Sequence, residues 1–450
     1  MTKQDIGREI VLDMLLEAIE GEEFSHRVLN RTLKHYQGKS KQERAFISRL
    51  FTGTMKQYLT LDYIIEQYAS LPVKKMKPFI RNLLRMSVYQ LVFMDSIPAS
   101  AVCNEAVKLA KKRGFSRLSG FVNANLRNVS RMGKQINYPD KEKDFNYYLS
   151  IRYSVPRWLV DMLTNQYESH QVETMLAASL KEKEITIRCN STKTSPSKLH
   201  DLLVAEGITA IEHPYLKEAF VISDFDYLEG LDIFRQGLFT VQDVSSMLVG
   251  EVASAKEDDY VIDVCAAPGG KALHIAEKAG KVSARDLSDY KVGLIEENIH
   301  RMGIKNVETK VLDARQIHPE SIASADIVIA DLPCSGLGVI GKKYDIKYKM
   351  TQKQQNDLVE LQREILDTVS NYVKPNGVLV YSTCTVNIKE NLDNMKWFLA
   401  NYNFEAENLD PMLPPVLHTD TTKIGYLQLL QGVHQTDGFF ICKMRKKEEN

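Results

Sequence analysis

The run Val261-Ile-Asp-Val-Cys-Ala-Ala-Pro-Gly-Gly-Lys271 limits what this chain can fold into more than any other stretch. Val261, Ile262 and Val264 read as a short buried parallel strand. Ala266 and Ala267 are small enough for the backbone to turn close against a ligand. Gly269 and Gly270 can take dihedrals closed to other residues, so that their N–H groups can point outward. The segment from Ala272 to Glu277 reads as a helix, whose amino end favours negative charge. A strand, a tight glycine turn and a helix in succession predict a nucleotide-type site at the carboxyl edge of a doubly wound sheet. The pattern is neither the dinucleotide fingerprint G-x-G-x-x-G nor a Walker loop, which speaks against a nicotinamide oxidoreductase.

Such a sheet does not use up 450 residues, and two or three domains are expected. Hydrophobic residues at 44% and charged residues at 26% fit a soluble globular protein. No apolar run approaches the roughly 20 residues that span a bilayer. The start, Met1-Thr-Lys-Gln-Asp-Ile, lacks the charged-then-apolar layout of a signal peptide. Six cysteines, Cys103, Cys189, Cys265, Cys334, Cys384 and Cys442, include no C-x-x-C. Thiols without a zinc or other metal site, in a cytoplasmic protein, are therefore expected.

The formal net charge is zero, but the charges are unevenly placed. Lys74, Lys75, Lys77, Arg81 and Arg85 precede the next acid, Asp95. Between Ala106 and Pro139 stand Lys108, Lys111, Lys112, Arg113, Arg117, Arg127, Arg131 and Lys134, again without an acid. Such clusters suit a phosphate-binding face, and equally a solvated helical surface.

Along the chain, Ile6, Ile10, Leu12, Leu15, Leu16 and Ile19 recur at helical spacing, as do Ala45 through Ile64 and Leu83 through Val92. Pro72, Pro78 and Pro98 punctuate a bundle of short helices. A polar stretch around Pro139 marks a boundary, and Ser154 is expected to cap a helix with Pro156 in its first turn. Strand-like Ile185 to Asn190, helical Leu199 to Glu206 and strand-like Phe220 to Ser223 form a small α/β unit without the aromatic signature of an RNA-reading sheet.

Beyond the glycine turn, Val282 to Asp286 reads as the next strand, ending in an acid suited to ribose hydroxyls, with Asp289 as second choice. Val307 leads to Asp313, and Ser324 to Asp331-Leu-Pro-Cys334-Ser-Gly336, where Gly336 and Gly338 would let a loop wrap a flat ring. An amphipathic helix runs from Leu358 to Val369, followed by a turn at Pro375-Asn-Gly377 and a strand from Val378 towards Cys384. Asn387 with Glu390 is expected to cap a helix, and Asp437 to Lys443 to form an edge strand. Cys189 and Cys442 read as core.

These stretches together resemble the RsmB (Fmu/Sun) group of bacterial small-subunit rRNA cytosine-C5 methyltransferases. The resemblance covers most of the chain. It rests on the Val261–Lys271 run, the Gly237-Leu-Phe-Thr-Val-Gln-Asp entry stretch, Asp331-Leu-Pro-Cys334, and Thr383-Cys-Thr385. Ahead of them, Val102-Cys-Asn-Glu-Ala-Val and Gly120-Phe-Val-Asn-Ala-Asn resemble the NusB-like fold. Departures are Arg285, Leu332 and Tyr344, where the family has an apolar residue, a small residue and proline, and Thr385 in place of serine.

The resemblance implies a multidomain chain. It would comprise an all-α NusB-like RNA-binding bundle at 1–138, a connector and small RRM-like α/β domain at 139–235, and a Rossmann-like α/β methyltransferase domain at 236–450. It implies S-adenosyl-L-methionine held by Cys265, Ala266, Ala267, Pro268, Gly269, Gly270, Lys271, Asp286, Asp313 and Asp331. It also implies 16S rRNA, free or in early assembly, as the partner of a monomer, and a substrate-facing role for the basic stretch Lys342–Lys349. The catalytic residues would be Cys384, Cys334 and Asp331. Lys271 would fix Asp331 or the thiol surroundings, or only cap the loop.

Carbon 5 of cytosine is a poor nucleophile until a thiolate adds to carbon 6, which makes covalent catalysis the economical route. That thiol must be partly ionised, and nearby positive charge helps. In the RNA-type enzymes the nucleophile matches Cys384, and Cys334 assists release. DNA-type enzymes use the other cysteine, so the reverse assignment is conceivable. A carboxyl at Asp331 would quench charge at ring nitrogen 3, and the base must lie outside a duplex. The rival reading from another class is a NusB-like RNA-binding scaffold with an inactive methyltransferase domain; loss of Asp331 or of either cysteine would favour it.

Overall fold

A computed structural model describes residues 3–21, 23–182 and 184–448; of the N-terminal stretch read above, residues 1 and 2 lie outside. The chain forms two compact units, Met1–Lys181 with Ile340–Lys349, and Glu182–Val339 with Met350–Asn450.

The first unit is helical. Lys3–Leu15 runs into a wider turn at Leu16–Glu20, followed by Ser25–His35, Lys41–Lys56, Tyr58–Glu66, Pro78–Phe93, Ala99–Lys112 and Ser119–Met132. The apolar spacing buries Leu12, Leu15, Leu50, Phe51, Leu83, Leu84 and Leu126 in one core. Ser40 and Glu43 form a capping box at the start of Lys41–Lys56, and Pro78 opens its helix, where the missing N–H matters least. The periodicity from Ala45 to Ile64 is two helices, parted at Gln57.

Three further helices, Phe145–Arg152, Arg157–Gln166 and Ser169–Leu180, complete the main chain of this unit. Ser154 does not cap Arg157–Gln166. It sits at φ 56° and its hydroxyl accepts from Leu59 N–H at 2.8 Å, joining the connector to the bundle instead.

The stretch Lys342–Lys349 was expected to face substrate; it belongs instead to the first unit, with Tyr344, Asp345 and Lys347 buried. Tyr344 lies in the helical core, and buried Asp345 takes both the backbone N–H (3.0 Å) and hydroxyl (2.7 Å) of Ser25. Lys347 is buried, donating to the carbonyls of Lys56 at 3.1 Å and Tyr153 at 3.4 Å. Burial, aided by Lys56, pulls its ammonium well below the usual lysine range. Proline at 344 would leave the core without the Tyr344 ring.

In the second unit, β1 (Ile185–Cys189), β2 (Thr209–His213), β3 (Leu216–Ser223) and β4 (Phe239–Val241) make an antiparallel sheet in the order β2-β3-β1-β4. Pro196–Ala205 packs against it through Leu199 and Leu203. Phe239–Val241, within the stretch from Gly237 that resembles the family's entry motif, is a strand of this small sheet. Cys189 is buried there, as expected.

The large sheet contains β5 (Tyr260–Asp263), β6 (Lys281–Asp286), β7 (Val307–Val311), β8 (Ala325–Asp331), β9 (Val373–Thr383), β10 (Phe404–Ala406), β11 (Tyr426–Leu429) and β12 (Phe439–Lys446). Its order is β10-β12-β9-β8-β5-β6-β7, with β11 on β12. Strands β9-β8-β5-β6-β7 are parallel, and β12 runs antiparallel to β9. Helices on both faces explain the continuous apolar runs in β5, β8 and β9. Two expectations fail here. The strand at Asp437 to Lys443 is not an edge, since β12 pairs with β9, β10 and β11, which is why nearly all of it is buried. Pro375-Asn-Gly377 is not a turn between elements but a bulge inside β9, where pairing jumps from Ala325↔Val373 to Ile327↔Val378. Cys442 is core, as expected.

Candidate active site

The carboxyl ends of β5, β6, β8 and β9 meet at one rim, where Asp263, Lys271, Asp286, Asp331, Cys334 and Cys384 collect. After β5 the backbone is fixed by Val264 N–H to Ile329 O (3.1 Å) and Ala266 N–H to Arg285 O (2.8 Å). The Ala267–Pro268 peptide is cis. Gly269 takes φ 104°, a region L side chains rarely enter, and begins the helix Gly270–Ala276. Its N–H does not point outward as expected. It donates to Ala266 O at 2.6 Å and closes the turn on itself. Asn298 holds the far side through Pro268 O at 3.0 Å.

Asp286 ends β6 buried, with its carboxylate already engaged by Ala267 N–H (3.0 Å), Leu287 N–H (2.7 Å) and Lys291 Nζ (2.8 Å). A carboxylate offers about four acceptor positions, so one remains for a ribose hydroxyl unless Lys291 withdraws. Asp289 lies in the first turn of the helix Asp289–Met302. Asp313 stands two residues past β7, and hydrogen bonds from Arg315 hold its carboxyl below the usual range. Arg285, the departure from the family pattern, is buried with Nε on Ser283 Oγ at 3.1 Å, stacked toward the Tyr372 ring.

Lys271 and Asp331 meet. Lys271 Nζ is 2.6 Å from Asp331 Oδ2, while Ser382 Oγ donates to Oδ1 at 2.8 Å. Burial pulls the ammonium down, yet the charge and hydrogen bond of Asp331, with Asp263 behind, hold it above its ordinary value. Lys271 therefore does more than cap the loop.

The two rim thiols also meet, with Cys334 Sγ 3.4 Å from Cys384 Sγ. That is well beyond a disulfide bond of about 2.05 Å. The hydrogen bond with Cys384 first, then burial, then the charges of Cys384 and Glu390, push the Cys334 thiol well above its usual range. Cys384 lies instead in the field of Lys271. Glu390 thus acts on Cys334, and Lys271 on Cys384. Gly338 serves this geometry rather than a flat ligand: its N–H donates to Cys384 O at 3.1 Å, and a Cβ there would fall 1.8 Å from Gly438 O.

The sequence reading passed over one residue at this rim and gave a second only a capping role. Asp263, at the end of β5, is buried, and its Oδ2 has no hydrogen-bond partner. Burial first, then the charge of Asp331, push its carboxyl up to about 7. An acid inside an otherwise apolar strand was the available signal. The second is Glu390, fully buried. It does not cap a helix with Asn387; the helix Leu392–Asn401 starts later, at Asn391, with no side-chain cap. Cys265 contributes its N–H to Asp263 Oδ1 at a long 3.4 Å, and burial pushes its thiol far up, beyond reactive ionisation.

The donor set suits a ligand with positive charge and hydroxyl donors. Among the described residues Lys271 and Lys291 pair with Asp331 and Asp286, and Asp263 Oδ2 is an orphaned acceptor. Among the described residues one further group, Glu218, Glu251 and His274, brings three potential metal-ligand atoms within 4.8 Å. Lys278 Nζ already sits 2.8 Å from Glu251. No helix among the described residues is long and apolar enough to cross a membrane.

Comparison with known proteins agrees across the whole chain. Residues 251–445 match the family described as 16S rRNA methyltransferase RsmB/F, residues 6–131 the NusB family, and residues 155–225 a ferredoxin-like domain of RsmF/B-like methyltransferases. The probable ribosomal RNA small subunit methyltransferase B of Bacillus subtilis (strain 168) is 36% identical over 99% of this chain and 100% of its own. Its counterpart in Synechocystis sp. (strain ATCC 27184 / PCC 6803 / Kazusa) is 30% identical over 98% and 99%. Among solved structures, PH0851 superposes over 99% of both chains with a TM-score of 0.82 at 24% identity, which speaks to the fold. NSun6 from Pyrococcus horikoshii, solved with SFG, is 25% identical over 64% of this chain and 97% of its own, with a TM-score of 0.57. With a full-length relative sharing over a third of its residues and a family match in each region, the chain belongs to the 16S rRNA methyltransferase RsmB/F family.

Proposed function

We propose that this protein transfers a methyl group from S-adenosyl-L-methionine to carbon 5 of a cytosine in 16S rRNA through a covalent adduct on Cys384. The single observation that carries the reading is the 3.4 Å pairing of Cys334 and Cys384 beside the Lys271–Asp331 ion pair. The relatives' names supply the small-subunit rRNA substrate. The acidic rim at Asp263, Asp286, Asp313 and Asp331, with the Cys265–Lys271 turn, fits the cofactor, which supplies an electrophilic methyl group on a positively charged sulfur.

In this reading the Cys384 thiolate, favoured by the charge of Lys271, forms a bond to carbon 6, and the displaced electron pair makes carbon 5 nucleophilic. Asp331, sharing a proton with Lys271, quenches the negative charge at ring nitrogen 3. After methylation a base takes the carbon-5 proton, whose bonding pair re-forms the carbon 5–carbon 6 double bond; nitrogen 3 gives its proton back to Asp331, the carbon 6–sulfur bond breaks, and its electron pair returns to Cys384. Cys334 assists this last step. Working domain boundaries near 138 and 235, a monomeric enzyme, free or early-assembly rRNA as substrate and a cytoplasmic location complete the proposal.

The test is methyl transfer from labelled cofactor to rRNA. Cys384→Ala is expected to give no turnover, and Cys334→Ala a protein–RNA adduct that survives denaturation. Normal methylation by Cys384→Ala would reverse the assignment. An absence of transfer by the wild type would favour the scaffold reading.

A further inference from the structure

Glu390 is a buried carboxyl group with no cationic partner among the described residues. It is fully buried, and every hydrogen bond to its carboxylate comes from a neutral donor. Ser335 N–H (2.8 Å) and Gln362 Nε2 (3.1 Å) reach Oε2, while Ser335 Oγ (2.5 Å) and Asn387 Nδ2 (2.9 Å) reach Oε1. Four donors satisfy the acceptor capacity of a carboxylate, which is how a buried charge persists without a cation.

What those donors are attached to gives the arrangement its meaning. Ser335 follows Cys334, and its hydroxyl also meets Thr385 Oγ1 at 2.7 Å, the residue after Cys384. Gln362 donates as well to Pro333 O at 2.8 Å, the residue before Cys334. The Tyr381 hydroxyl, from β9, reaches the Glu390 backbone carbonyl. One carboxylate thus ties the loop after β8 to the loop after β9, one residue behind each sulfur.

We propose that Glu390 is a positioning residue of the thiol pair: through Ser335 and Thr385 it fixes the spacing of Cys334 and Cys384, and its charge keeps the pair's proton on Cys334. The titratable groups recorded beside the pair among the described residues are Glu390 and the buried Tyr381 phenol on the side of Cys334, and Lys271, itself bound to Asp331 and near Asp263, on the side of Cys384. An anion behind Cys334 and a cation beside Cys384 both favour the proton on Cys334. The Cys334 thiol, held high by Cys384, burial and Glu390 in that order, agrees with this. The residue that departs from the family pattern, Thr385, retains the hydroxyl this tie uses.

The assignment builds on the methyl-transfer reading but is tested apart from it. In full-length protein, the pH dependence of iodoacetamide labelling is followed at each cysteine by peptide mass, for wild type, Glu390→Gln and Glu390→Asp. Removing the charge is expected to move Cys334 labelling to lower pH by about one unit or more, with Glu390→Asp moving it back. In methyl transfer, kcat of Glu390→Gln is expected to fall about tenfold or more while KM for RNA and cofactor stays within about threefold. Labelling profiles and kcat equal to wild type in Glu390→Gln would overturn the proposal. If Glu390→Gln does not fold, Ser335→Ala cuts the tie to Thr385 and leaves the carboxylate. It is expected to lower kcat with KM unchanged, and an unaltered kcat would overturn the proposal equally. Shifted labelling in a protein that transfers no methyl group would refute the functional reading and leave the role of Glu390 standing.

Discussion

Asp263 carries one carboxylate oxygen into the interior of the rim with nothing to receive. Its carboxyl is pushed up to about 7, by burial first and by Asp331 second, with Lys271 pulling the other way. In an unfolded chain the same group ionises near pH 4. Between these limits the unfolded state releases a proton that the folded state keeps, so stability falls as pH rises through the window. Asp263→Asn removes this titration. Its stability relative to wild type is expected to climb from pH 4 to pH 7 by up to about 4 kcal/mol and then level off. Lys271 loses a neighbouring anion in this variant, which reduces the gain. Urea unfolding at a series of pH values measures the difference, and a flat line would mean that Asp263 ionises as an ordinary surface carboxylate.

Elements here are held by partners far away in the chain. The helix Ser25–His35 begins without a side-chain cap of its own from Phe24, and Asp345 receives the Ser25 N–H and hydroxyl in its stead. A carboxylate at a helix amino end satisfies an orphan donor and opposes the helix dipole. Asp345→Ala is therefore expected to destabilise the first unit by about 1–2 kcal/mol, read as an earlier urea transition in helical signal. No local pattern announces such a cap, since Ser25 and Asp345 lie 320 positions apart. The same blindness explains Asn387 and Glu390. Their spacing is that of a capping box, but the helix starts later and both side chains turn inward to the thiol loops. Pro375-Asn-Gly377 has turn composition, and the pairing of β8 with β9 on either side absorbs it as a bulge. Where burial alone decides, as in β5 and β8, the apolar runs matched the strands within a residue or two.

For the molecule as a whole, the zero net charge hides a sorting of cations that only the fold reveals. Runs free of acids in sequence are not free of them in space. Lys112 and Arg113 pair with Glu9 and Asp13, Arg81 with Glu20, Arg85 with Asp62 and Lys134 with Asp95. Among the described residues Lys74, Lys75, Lys77, Lys111, Arg117, Arg127 and Arg131 are exposed and make no ion pair. With rRNA as partner, Arg127→Ala together with Arg131→Ala is expected to lower the slope of log affinity against log salt by about 1.4. Lys112→Ala with Arg113→Ala should lower it less, because their charges are already met; equal slopes would remove the distinction. The three regions were legible because each has its own periodicity. The excursion at 340–349 was not, because a basic stretch next to a reactive loop reads as surface. That excursion constrains synthesis itself. Chains usually fold from the amino end as they leave the ribosome. Here Tyr344, Asp345 and Lys347 reach the first unit only after the small sheet and half of the large one have been made. At ordinary elongation rates the helical bundle waits roughly ten to thirty seconds for its final pieces, holding an unfilled interior meanwhile.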